Sequence, residues 1–173
     1  MKVVACDDAG LDAAAAVLLS GGVAVIPTDT VYGLAAHPGF PRAVDRLYTI
    51  KGREAKKPIA LLAGDAAATG VSHPLAAKWP GGLTIVCGGE GYRVPDHEWT
   101  RRLIARCGGL LRVTSANMSG RRPATDAEAA LADVGLSADI VVDGGVSPGG
   151  VASTVVRVDG GRVEVLRQGG VKV

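Results

Sequence analysis

The sequence predicts one α/β domain built on a twisted sheet of mixed parallel and antiparallel strands with flanking helices. Three observations carry this. Short runs rich in Val, Ile and Leu alternate with stretches of helical periodicity. The last third returns to strand-like runs, two of them joined across Asp159-Gly160-Gly161, which signals a hairpin. No internal repeat, low-complexity tract or linker interrupts the 173 residues, and a 47% hydrophobic content is enough for one sizeable core, so a single domain over 1–173 is expected.

In chain order, residues 3–6 offer an opening strand. An Ala-rich helix follows over 11–19, with Asp8 or Asp12 near its start and Gly21 at its end. Residues 23–26, VAVI, lie between Gly-Gly and Pro27 and form a short buried strand that stops at the loop PTDT. Residues 41–50 place Val44, Leu47, Tyr48 and Ile50 on one helical face and run into Lys51-Gly52-Arg53. A basic loop ends at Pro58, and a strand spans 59–62. Residues 65–72 read as a loop or helix remnant, and 74–79 as a short helix stopped by Pro80-Gly81-Gly82. Strand 83–87 turns through Gly88 to Gly91 into 92–94, a helix covers 96–107, and strand 110–113 ends on Thr114-Ser115-Ala116-Asn117. After a polar basic loop, Thr125-Asp126-x-Glu128 starts a helix over 127–134. Strands at 139–143, 153–158 and 162–166 complete the chain.

Composition excludes more than it selects. Aromatics are 3% of residues, so the core must come from aliphatics, and with 19 basic and 17 acidic residues the charge demands neither nucleic acid nor a small anion. Cys6, Cys87 and Cys107 are odd in number and widely spaced, which disfavours zinc and a disulfide framework and fits reduced thiols in a cytoplasmic protein. No signal peptide and no 18-residue apolar span is present, so a soluble protein away from membranes is expected.

The stretch GGVAVIPTDTVYGL, 21–34, brings Thr28, Asp29, Thr30 and Tyr32 to a strand end, where they form either an ordinary turn or a binding site. Lys51 and Arg53 stand two apart. Arg can grip a phosphate or carboxylate with two parallel bonds while Lys acts as a mobile point charge, although a KxR at a helix end is also ordinary solvated charge. Ser115 and Asn117 suit a cap as readily as a ligand. There is no GxxxxGK[ST], no GxGxxG and no GxSxG, and His37, His73 and His97 lack metal-ligand spacing. An enzyme with these residues works by positioning charged substrates, without a covalent nucleophile.

Taken together, PTDTVYGL at 27–34, KGR at 51–53 with KP at 57–58, WPGGLT at 79–84, RVP at 93–95, SANMSG at 115–120, STV at 153–155 and LRQG at 166–169 resemble the YrdC/Sua5/YciO family in order and over nearly the whole chain. The resemblance implies a mixed sheet curved around a basic concave cavity. It implies synthesis of threonylcarbamoyl-AMP and pyrophosphate from L-threonine, bicarbonate and ATP, for the N6-threonylcarbamoyladenosine of tRNA, with downstream transfer proteins as partners. By position, Lys51, Arg53, Ser115 and Asn117 would carry catalysis. Thr30, Tyr32 and Ser153 would hold L-threonine. Lys51, Arg53, Lys57, Thr84, Ser115, Asn117 and Arg167 would surround ATP, with Mg2+ held largely by the triphosphate and no protein metal ligands.

Three departures from the family pattern stand out. Gly82 replaces the proline of WPGPLT, which is expected to loosen that loop. The stretches 58–79 and 84–93 are shorter than usual, implying lower pocket walls, and no His follows the KP motif near Leu62. The chain ends soon after LRQG, as in the single-domain YrdC-type form. Two alternatives remain: a YciO-like or carbamoyl-transfer paralogue with another acceptor, and a non-catalytic module for double-stranded RNA or tRNA using Arg101, Arg102, Arg121 and Arg122.

Overall fold

Two small strand assemblies, one from each side of the molecule, are joined by a strand that follows both in the sequence. The computed structural model describes residues 1–54 and 57–173. On one side, β2 (Val23–Ile26) and β3 (Gly33–Ala36) form a hairpin closed by the pair Ile26–Gly33. On the other, β5 (Leu83–Cys87) pairs with β6 (Glu90–Arg93), which runs parallel to β4 (Leu61–Ala63). Strand β7 (Leu110–Ser115) lies antiparallel to both β3 and β4 and unites the two. The outer strands are β1 (Lys2–Ala5), β8 (Ile140–Asp143), β9 (Thr154–Asp159) and β10 (Arg162–Arg167). They give the order β1-β8-β2-β3-β7-β4-β6-β5-β9-β10 in one mixed sheet.

Helices cover both faces. α1 (Asp8–Leu19) and α3 (Glu98–Arg106) pack over Ala24, Ile26, Ala35, Leu62, Leu111 and Val113. α2 (Pro41–Lys51) and α4 (Ala127–Asp133) pack on the other face over Val23, Val25, Leu34, Ala36 and Val141. A third cluster of Ala63, Trp79, Leu83, Ile85, Val94 and Val156 lies under the β5–β9 end. Residues 65–72, expected as a loop or helix remnant, hold the single 3-10 turn Ala67–Thr69, and the short helix expected over 74–79 is a 3-10 helix, Pro74–Lys78.

Strand β3 was not expected. GLAA has no alternation to betray it, because all four residues are buried between the two helix layers. Helix α1 begins at Asp8 and is capped by Asp7, whose carboxylate accepts from Gly10 N at 2.7 Å, and α4 is capped by Asp126. The basic loop expected before Pro58 includes Ala55 and Lys56, which lie outside the described residues. Among the described residues no helix is long and apolar enough to cross a membrane.

Candidate active site

A cavity of about 1050 Å³ opens where the two halves of the sheet meet, between the β2–β3 loop, the end of β7 and the β5–β6 and β9–β10 hairpins. Thr28, Thr30, Tyr32, Arg53, Lys57, Thr84, Arg93, Ser115, Ser153 and Arg167 all line it. A smaller recess of about 290 Å³ holds Lys51 and Asn117 and shares Arg53, Lys57 and Ser115 with the larger one. The residues expected from the sequence are thus brought together from six separate stretches of chain.

At one end the loop 27–32 is fixed from several sides. Thr28 Oγ1 donates to Val31 O at 2.7 Å and lies 3.1 Å from Thr30 Oγ1. Thr100 Oγ1, on α3, donates to Pro27 O at 2.7 Å, so helix α3 anchors the start of the loop. Arg93 closes it: the guanidinium is paired with Asp29 and donates to Thr30 Oγ1 at 2.9 Å and to Gly81 O at 3.0 Å. Burial lowers the Arg93 pKa, opposed chiefly by the neighbouring Asp29 charge. Arg93 was given no role from sequence, and Asp29 was read only as part of the turn or site at the strand end. The available signal was a charged residue in strand YRV with Gly91 two positions earlier, an inward-facing cation that needs a partner. Tyr32 is fully buried, and its hydroxyl donates to Gly145 O at 2.7 Å and accepts from Gly144 N at 3.0 Å. That hydroxyl is therefore spent on the loop after β8.

At the other end α2 delivers Lys51 and Arg53 to different places. Ala43, Leu47 and Lys51 share the buried stripe of the helix, so Lys51 turns inward and is 2% exposed. Its Nζ donates to Ser115 O and Asn117 O, both at 2.5 Å, and burial lowers its pKa to about 8. This corrects the reading of Lys51 as a mobile point charge: it ties the end of β7 to α2. Gly52 takes the left-handed conformation (φ 57°) that ends the helix and releases Arg53 toward the cavity, where Nε donates to Lys57 O at 3.0 Å. Asn117 Nδ2 donates to Met118 O and Arg121 O, holding the turn that follows. Arg167 donates to Ser153 O from both Nε and NH2, at 3.0 and 2.8 Å, and Ser153 Oγ lies 2.9 Å from Thr84 Oγ1. Burial and the charge of Arg53 both lower the Arg167 pKa. Among the described residues neither arginine has a carboxylate partner, so this end of the cavity is an electropositive recess suited to an anion.

The loop around Gly82 is tied to its neighbours by hydrogen bonds: Gly81 N donates to Val94 O at 2.8 Å, Thr154 N to Gly82 O at 2.9 Å, and Trp79 Nε1 to Leu83 O at 2.7 Å. The β5–β6 edge of the cavity is a two-residue turn, Gly88-Gly89, with φ of 58° and 84° and no side chains to raise the wall.

Fold and cavity together define an α/β ligand-binding domain with a polar, hydroxyl-lined end beside a cationic one. The Sua5_yciO_yrdC family model, described as "Telomere recombination", matches residues 16–169, and the chain belongs to that family. A Bacillus subtilis protein named threonylcarbamoyl-AMP synthase is 33% identical over 190 residues, which cover 95% of this chain and 55% of that protein. A Mycobacterium tuberculosis relative carrying the same name provisionally is 31% identical over 183 residues, with 92% of this chain and 84% of that protein covered. Among solved structures, Pyrococcus abyssi Sua5 in complex with L-threonine superposes with a TM-score of 0.89 at 27% identity, over 98% of this chain and 58% of that one. Escherichia coli YciO superposes at 0.86 with 21% identity, a likeness of fold.

Proposed function

We propose that the chain is an L-threonylcarbamoyladenylate synthase, making threonylcarbamoyl-AMP and pyrophosphate from L-threonine, bicarbonate and ATP for N6-threonylcarbamoyladenosine formation in tRNA. The observation that carries this is one hollow with two chemically distinct ends, hydroxyls at Thr30 and Ser153 and the cations Arg53 and Arg167, which have no carboxylate partner among the described residues. Its volume exceeds what a lone amino acid fills and suits an amino acid beside a nucleotide. The synthase names of the relatives and the threonine bound to Sua5 support the same reading.

In this reading the threonine amine, in its neutral form, condenses with bicarbonate to a carbamate with loss of water. A carbamate oxygen then attacks the α-phosphorus, and the bond from that phosphorus to the bridging oxygen breaks to release pyrophosphate. The work asked of the protein is alignment and charge neutralisation. Thr30 and Ser153 orient the amino acid, Arg53, Lys57 and Arg167 face the phosphates, and Lys51 acts through the Ser115–Asn117 turn that it holds. Among the described residues no three His, Cys, Asp or Glu side chains converge on a metal site. A magnesium ion would therefore enter with the triphosphate, where it screens phosphate charge.

The test is pyrophosphate release. It is expected only when ATP, L-threonine and bicarbonate are all present, and release that persists without threonine would overturn the assignment.

A further inference from the structure

Beneath Thr30 three segments meet at a junction that the cavity-lining side chains do not explain. Thr154 N donates to Gly82 O at 2.9 Å. The Thr154 hydroxyl donates to Val171 O at 2.6 Å and accepts from Gly169 N at 2.9 Å and Val171 N at 3.1 Å. Gly169 runs so close to this strand that a β-carbon there would stand 2.2 Å from Ala152 O. The segment after β10 is therefore pressed onto Ser153 and Thr154, and its Val171 side chain joins the core cluster that holds Trp79 and Leu83.

At Gly82 this segment comes close to Thr30, which lines the cavity. A β-carbon at 82 would lie 3.2 Å from Thr30 Cγ2 and 3.5 Å from Val171 Cγ2, so the two methyl groups converge on the space that the glycine leaves open. The Thr30 hydroxyl is held by Arg93 and Thr28, which leaves packing around Gly82 to hold its methyl. We propose that Val171 is a positioning residue for Thr30, through which the chain after β10 sets the fit of the amino-acid end of the cavity. This rests on the synthase reading given above. Removing the Val171 methyls would open a gap beside Gly82 into which the loop and the Thr30 side chain can shift. The cationic end would be spared, because Arg53 is fixed by Lys57 O and Pro58 O on another part of the chain and Arg167 keeps its bonds to the Ser153 carbonyl, which do not involve the Val171 side chain.

The test is calorimetric titration of Val171→Ala with L-threonine and, separately, with a non-hydrolysable ATP analogue. The expected result is a Kd for L-threonine raised about five- to tenfold, as displacement of a binding group by a fraction of an ångström produces, with the analogue's Kd unchanged. Selectivity for L-threonine over L-serine should narrow. Gly82→Ala in the Val171→Ala background adds a carbon to the vacated space and should recover threonine affinity. Gly82→Ala alone, which presses directly on Thr30, should weaken threonine selectively and gives an independent reading if Val171→Ala melts. Parallel loss of both ligands, or unchanged threonine binding by a folded Val171→Ala, would overturn the role of Val171. Failure of the wild-type chain to bind L-threonine would instead overturn the synthase reading and this inference together.

Discussion

At Lys51 a cation is buried with two carbonyl oxygens at its ammonium and, among the described residues, no carboxylate in contact. Its pKa, lowered from 10.5 to about 8 by burial and by Arg53, gives a prediction of opposite signs. The native state releases this proton more readily than the unfolded chain, so between about pH 8 and 10.5 the unfolded state binds more protons and this group's contribution to stability rises with pH. Affinity for ATP needs the charged form and should fall as pH rises through about 8. Thermal melts and nucleotide titrations of wild type and Lys51→Met across this range measure both trends, which the substitution should remove. The inward turn was legible in principle, since 43, 47 and 51 are spaced on one helix face. Its spacing beside Arg53 suggested a mobile charge facing a phosphate, and burial was not anticipated because lysine is so seldom buried. Arg93 was less legible: its partner Asp29 is 64 residues away, and no local pattern links them.

The helices and most strands were written into local chemistry. The Gly-Gly and Pro27 boundaries of β2, Pro41 at the start of α2, and the Gly160-Gly161 turn with φ of 50° and 84° all act within a few residues. The start of α1, expected at 11 with Asp8 or Asp12 nearby, falls three residues earlier at Asp8, because Asp7, Asp8 and Asp12 all suit a helix start and only tertiary placement of Cys6 N on Asp143 O fixes where the strand lets go. Asp7→Ala should cost about 1 kcal/mol by urea denaturation, the usual loss for an N-cap. Ligand affinities should not change, since neither Asp7 nor any residue of α1 lines the cavity. A loss of threonine or ATP binding without a shift in the denaturation midpoint would contradict that separation.

Across the whole molecule, charge is sorted between surface and cavity. Of the four arginines that an RNA-binding module would use, Arg101 pairs with Asp96, Arg102 with Asp8 and Arg121 with Asp133, at 3.3, 2.8 and 2.7 Å. With that surface partly neutralised, tRNA should bind weakly, and its affinity should fall steeply as salt rises from about 50 to 200 mM, since counterion release alone would drive it. Fluorescence anisotropy with labelled tRNA measures this, and sub-micromolar binding near physiological salt would revive the RNA-binding alternative. The sheet order could not be read locally, because nearly every parallel neighbour is far off in sequence: β2 meets β8 through Ala24 and Ile140. That same order has a consequence on the ribosome. While the first hundred residues emerge, the β2–β3 hairpin and the β4–β6–β5 unit can each form, but they have nothing to join them until β7 is made, and β2 has no second neighbour until β8 follows. At a synthesis rate of about 5–20 residues per second, the bare apolar edges of these pieces stay unpaired for seconds before β7 and β8 arrive.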